Sequence, residues 1–172
     1  MTGEIDIAKY ISGFDFNVKK VSDSLKNNPE LIEKFVSHIT AETKDAWRAS
    51  WVLAHYTGKY SYDLNKYSDE IVNAAKIIKV DGHLRETLKI IINLDLNEEQ
   101  TSEIFDLCFS ILEDNRRQPS VRSIAFQYLM KVAENYPELE NEILIIFENI
   151  KDYLSNGIRH SMSLRLKSKF KK

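Results

Sequence analysis

Glycine and proline are scarce in this chain, at 5 and 3 of 172 residues. That argues against an all-β design built on many tight turns and favours long helices. The single cysteine, Cys108, excludes an internal disulfide and fits a reducing compartment. The longest unbroken apolar run, Ile143–Phe147, is too short to cross a bilayer, so no membrane partner is expected. The first residues, Met1 to Ser12, mix Glu4, Asp6 and Lys9 with apolar residues and do not read as a secretory signal. A cytoplasmic location is the expectation. Charge of one sign is also lacking: the net charge is −2, so bulk electrostatics advertise no nucleic-acid partner. There is no Gly-rich phosphate loop, no His-Glu-x-x-His and no Gly-x-Ser-x-Gly. The four histidines, His38, His55, His83 and His160, show no metal-ligand spacing. His83 and Glu86 lie one turn apart, but a di-metal bundle needs two Glu-x-x-His pairs and has none here. No cofactor or metal is expected, and no catalytic residue stands out.

What the chain does have is a period. Arg48, Arg85, Arg122 and Arg159 are each separated by 37 residues. Each follows an apolar residue (Trp47, Leu84, Val121, Ile158) and precedes another by three positions (Trp51, Leu88, Ala125, Met162). A fixed interval of this size with a fixed apolar register predicts stacked helix pairs.

Pro29, Pro119 and Pro137 each stand at the head of a helical pattern, where a missing N–H costs nothing. Gly58 and Gly157 fall between patterns, as terminating or linking residues would. Asparagine breaks fall at 27–28, 97 and 115. The pattern predicts four pairs: about 29–39 with 43–57, 63–79 with 82–94, 98–113 with 119–135, and 138–154 with 157–170. Residues 4–12 and 16–27 read as capping helices within an N-terminal cap, 1–28. One period before Arg48 lies Ile11, so the register fails there, as a terminal unit allows. The whole of 1–172 is read as one domain, with 29–170 forming the pairs.

In the second helices, Trp47/Trp51/His55, Leu84/Leu88/Ile92, Val121/Ala125/Leu129 and Ile158/Met162/Leu166 recur on one face. That face is expected to be buried, with His55 as an interior histidine. The first helices follow the same logic through Ile104, Cys108, Ile111 and Leu112, then Ile143, Ile146, Phe147, Ile150 and Leu154. Cys108 reads as a small core residue. The run Ile143–Phe147 has β-propensity, but its apolar spacing continues to Leu154 between charged flanks, which predicts helix.

These residues resemble HEAT repeats, and the third unit shows it best. Residues 104–114 (IFDLCFSILED) resemble the first HEAT helix, 115–120 the turn, and Val121-Arg122-Ser123-Ile124-Ala125 the Val-Arg-x-x-Ala start of the second. The resemblance covers roughly 29–170. It implies an all-α, right-handed α-α superhelix of about four helix pairs with N-terminal caps, and a binding or scaffold role. The chain also resembles small stand-alone bacterial HEAT-like proteins, some of which carry the label adenylosuccinate lyase. That enzyme's flexible loop, Ser-Ser-x-Met-Pro-x-Lys-x-Asn, is absent here, so the residues lend the activity no support.

Candidate binding features each have two readings. The arginine ladder is either a cationic stripe or an architectural set of ion pairs to Asp45, Asp81, Asp114 and Asp152; architecture is the expectation. Charge alternates along the second half: −7 over 95–115, +4 over 116–131, −5 over 132–154 and +6 over 155–172. Either one face is basic, or the layers complement one another. The tail Arg165–Lys172 is a phosphate contact or a solvated cap. Glu99, Glu103 and Asp106 share an acidic helix face that is expected to meet water. Trp47, Trp51, His55 and Tyr56 form either a stacking platform or core, and core is the expectation. The function expected is recognition of a protein or peptide on a concave face, with Lys89, Arg116, Arg117, Phe126 and Arg165 as partner-binding residues. The alternative is a nucleic-acid-binding protein similar to HEAT-like DNA-alkylation-repair glycosylases. Oligomeric state is not legible.

Overall fold

A computed structural model describes residues 6–13 and 15–170, the side chains of 61–63 and 168–170 excepted. Among these residues there are helices and no strand. The chain divides into two compact units, Met1–Gln100 and Thr101–Lys172.

The first unit opens with the single turn α1 (Ala8–Ile11) and α2 (Val18–Leu25). Gly13 links them at φ 125°, a conformation that a side chain rarely adopts. The Asn17 side chain caps α2 by accepting from the Lys20 N–H at 3.0 Å. Two pairs follow: α3 (Pro29–His38) with α4 (Ala46–Tyr60), and α5 (Ser68–Ile77) with α6 (Asp81–Ile91). A 3-10 segment, Ser61–Tyr67, occupies the start of the expected helix 63–79. Helix α4 is the hub, packing on α2, α3 and α6. Its buried side includes Ala49, Val52, Leu53 and Tyr56, each at most 1% exposed. Burying a side chain of Val, Leu or Phe size stabilises by about 1.5–3 kcal/mol, so this face anchors the unit.

Helix α7 (Glu98–Glu113) starts at a reciprocal capping box. The Asn97 side chain accepts from Gln100 N–H at 2.8 Å, and the Gln100 side chain accepts from Asn97 N–H at 3.0 Å. The second unit continues with α8 (Pro119–Val132), α9 (Glu140–Ile150) and α10 (Asn156–Phe170). Short 3-10 turns, Pro137–Leu139 and Lys151–Tyr153, flank α9, so the α-helix is shorter than 138–154. Helix α8 packs on α9 and α10. Buried Val121, Ala125, Phe126 and Leu129 share this core with Ile143, Ile146 and Phe147.

The period is visible as contact. The Ser50 and Thr87 hydroxyls, 37 residues apart, meet at 3.0 Å between α4 and α6. A repeat stacked on its neighbour brings equivalent positions together.

Two expectations are corrected. Gly58 lies inside α4 and Gly157 in the first turn of α10, so neither terminates a helix. Neither has the positive φ of a terminating glycine, and a Cβ at either would meet nothing within 4 Å. The packing of α4 around Tyr56 and Thr57 outweighs the roughly 1 kcal/mol that glycine costs a helix.

Candidate binding cleft

In the first unit, the turns that launch α4 and α6 frame an open cleft of about 420 Å³. Thr43 and Lys44 come from the turn before α4, and Trp47 from its first turn. Val80 precedes α6, and Gly82, His83 and Arg85 come from its first turns. Trp47 is 37% exposed and Val80 68%. Apolar surface left open at a concave place is the usual mark of a recognition site.

The floor is held by hydrogen bonds. His83 Nε2 lies 3.0 Å from Ser50 Oγ, which lies 3.0 Å from Thr87 Oγ1. Thr87 Oγ1 in turn donates to the His83 carbonyl at 3.2 Å. That donation uses the Thr87 proton, so Ser50 donates to Thr87 and His83 Nε2–H donates to Ser50. The Nε2 of His83 therefore carries a proton. Burial also lowers its pKa from the ordinary value. A Ser–His pair could suggest a nucleophile and its base. Ser50 is 0% exposed, so no substrate can reach it.

Beside the cleft Glu86, only 2% exposed, is held by two cations. Arg85 Nε and Nη2 reach its Oε1 at 2.9 and 2.7 Å, and Lys89 Nζ reaches both carboxylate oxygens at 3.1 and 3.0 Å. Above Trp47 runs an aromatic row. Trp47 stacks on Trp51 at 5.6 Å, Phe16 tilts against Trp51 at 5.6 Å, and His55 meets Trp51 edge-on at 6.0 Å. The Arg48 guanidinium lies 5.1 Å from the Phe16 ring centre and 5.6 Å from that of Trp47, a cation–π arrangement.

The expected burial of the Trp47/Trp51/His55 face is thus corrected. Trp47 and His55 are exposed and Trp51 is half-buried. The equivalent Leu84, Leu88, Val121, Ala125, Leu129 and Met162 are at most 1% exposed and Leu166 is 6% exposed, while Ile92 and Ile158 are half-buried and also depart from the expectation. The lead-in ahead of α4 is a single turn and one short helix, and Phe16 is the ring it places on Trp51. Tyr56 is core, on the opposite side of the helix.

The arginines of the 37-residue ladder settle in four ways. Arg48 donates to the Ile11 carbonyl at 2.5 Å and lies 3.8 Å from Asp45, while its buried Nε has no hydrogen-bond partner. Arg85 pairs with Glu86. Arg122, 3% exposed, donates from Nε and Nη2 to the Leu112 carbonyl at 3.0 and 2.8 Å. Arg159 donates to Asn156 at 2.8 Å and lies 3.9 Å from Asp152.

The expected partner-binding residues do not converge. Lys89 is half-buried on Glu86. Arg116 and Arg117 both bond to Asp114, at 2.9 and 3.9 Å. The hydrogen bond from Arg116 holds the Asp114 carboxyl down to about 2. Phe126 is corrected from surface to core: it is 0% exposed, 6.0 Å from the Phe147 ring. Four residues past Arg122 is one full turn, which returns Phe126 to the buried side. Arg165 is exposed on α10. Of the basic tail, the side chains of 168–170 and residues 171–172 lie outside the described residues. Glu99 and Asp106 are exposed, Glu103 is half-buried, and Cys108 is fully buried. Among the described residues, no group of three or more His, Cys, Asp or Glu side chains could hold a metal. None of their helices is long and apolar enough to cross a membrane.

Sequence reading missed Thr43, Lys44, Val80, Gly82 and His83. Two signals pointed there: Val80 stands in a turn, and Ser50 and Thr87 place hydroxyls at one repeat position.

Paired helices that stack at a fixed interval, with equivalent residues touching, define an all-α helical-repeat protein. The sequence profile of the HEAT repeat domain matches residues 14–169, nearly the whole chain, and the protein belongs to that family. Repeats of this kind often mediate binding interactions. No curated protein and no solved structure matches the chain.

Proposed function

We propose that this HEAT repeat protein is a non-catalytic binding module that takes a short segment of a protein partner into the α4/α6 cleft. The observation that carries this is the exposure of Trp47 and Val80 inside a built concavity whose floor is locked by Ser50, Thr87 and His83. Aromatic side chains that are rigid and half-exposed make good anchors for a partner. The sealed Ser50 hydroxyl favours binding over chemistry. A nucleic-acid reading gains nothing from Arg116, Arg117 and Arg122, which are bonded to Asp114 and to the Leu112 carbonyl.

The variant Gly82→Gln tests it. A Cβ at Gly82 meets nothing within 4 Å, and glutamine favours helix, so the fold tolerates the change while the side chain fills the cleft. A partner captured by the wild-type chain should be lost by Gly82→Gln. Binding of that partner should also shift tryptophan emission, because the only two tryptophans, Trp47 and Trp51, stand at the site. Equal capture by both proteins would remove the cleft from the function.

A further inference from the structure

Taking the cleft as the binding site, we infer that its occupant is an acidic peptide segment: a carboxylate-bearing stretch beside one bulky apolar side chain.

The lining divides into two chemistries. Trp47 and Val80 supply exposed apolar surface, and Lys44 and Arg85 supply positive charge. No Asp or Glu lines the cleft. Of the acids in the two turns, Asp45 lies 3.8 Å from Arg48, and Glu42, exposed beside Thr43, and Asp81 are outside the lining. The one carboxylate close behind the lining, Glu86, is buried and already shared by two cations, so the Arg85–Glu86–Lys89 group keeps a net positive charge. Arg85 uses its Nε/Nη2 edge on Glu86; its Nη1 edge holds no hydrogen bond among the described residues. Lys44 is exposed. A basic or neutral segment would leave this charge unanswered, whereas an acidic one answers it at each point.

Three pools of short, dye-labelled peptides make the test. Each peptide carries one central Leu or Phe. The flanks are Asp/Glu in the first pool, Asn/Gln in the second and Lys/Arg in the third. Tryptophan emission and anisotropy are read with the full chain. The acidic pool should bind best and weaken with salt. Lys44→Glu should weaken it about fivefold, the size expected from one exposed charge contact reversed. Gly82→Gln should abolish binding of the acidic pool, since its side chain fills the cleft.

If the neutral pool binds as well as the acidic one and Gly82→Gln abolishes both, the cleft stands and its acidic preference is wrong. Preference for the basic pool overturns the inference in the same way. If no pool binds while a captured partner is still lost on Gly82→Gln, the occupant is not a short acidic segment. Retention of a single-stranded oligonucleotide in place of the acidic pool would replace the peptide with a phosphate ligand.

Discussion

Helices α4 and α8 occupy the same place in their repeats, and their arginine-column faces have opposite fates. On α8, Val121, Ala125 and Leu129 are all 0% exposed, and Arg122 is sealed against the Leu112 carbonyl. On α4, the equivalent Trp47 and His55 are open, Trp51 is half-covered, and Arg48 is shared among Ile11, Asp45 and two rings. A repeat's register states which residues are able to be buried. Whether they are depends on what lies against them. Where that is a single turn and a short helix, the leftover apolar surface becomes available for recognition.

Exchanging residues between the two faces should break the comparison most visibly. Ala125→Trp puts the α4 residue into the closed face of α8 and should cost about 3 kcal/mol or more by overpacking. Trp51→Ala should cost about 1–2 kcal/mol, the loss of partly exposed ring contacts. Urea unfolding of both variants measures the difference; equal costs would mean that the two faces are equally packed.

The arginines should follow in order. Arg122→Ala leaves the buried Leu112 carbonyl without its two donors and should destabilise by about 1–3 kcal/mol. Arg48→Ala removes one carbonyl bond and two partly exposed ring contacts, and should cost less, near 1 kcal/mol. A larger loss at Arg48 than at Arg122 would reverse the assignment of open and closed faces.

Acid should act on the first unit through its histidines. Burial lowers the pKa of both His83 and His38 below the ordinary 6.5, although Asp45 opposes the effect at His38. The unfolded chain then takes up protons first as pH falls through 6.5, so stability is full above that value and declines below it. The unfolding midpoint should drop between pH 7 and pH 5, and the drop should shrink in His83→Asn. A midpoint independent of pH would place His83 in water.

The smallest effect is expected at Gly58. Alanine there meets nothing within 4 Å inside α4 and should stabilise by about 0.5–1 kcal/mol. Destabilisation would restore Gly58 to the helix-ending role that its sequence position suggested.

Much of this fold was legible in the sequence. The arginine interval, the apolar register and the three prolines located the helix pairs to within a few residues. Helix ends were less legible, because the 3-10 turns around 61–67 and 151–153 differ from α-helix only in hydrogen-bond spacing. The candidate site was hardly legible. Lys44 and Val80 lie in turns that have no periodicity, Gly82 and His83 at the start of α6, and only the packing of α4 on α6 brings them to one cleft. Phe126 and Trp47 were each placed on the wrong side, since apolar spacing ranks positions on a helix without naming what covers them.

The amino-acid order by itself determined that this protein is a run of two-helix repeats, because a recurring interval with a constant apolar register is satisfied by helices stacked on their equivalents. The tertiary structure alone decided which repeat keeps its apolar face open, and which acceptor each arginine reaches. Those outcomes depend on the area and polar groups of the neighbouring element, and coverage is a property of the packed whole.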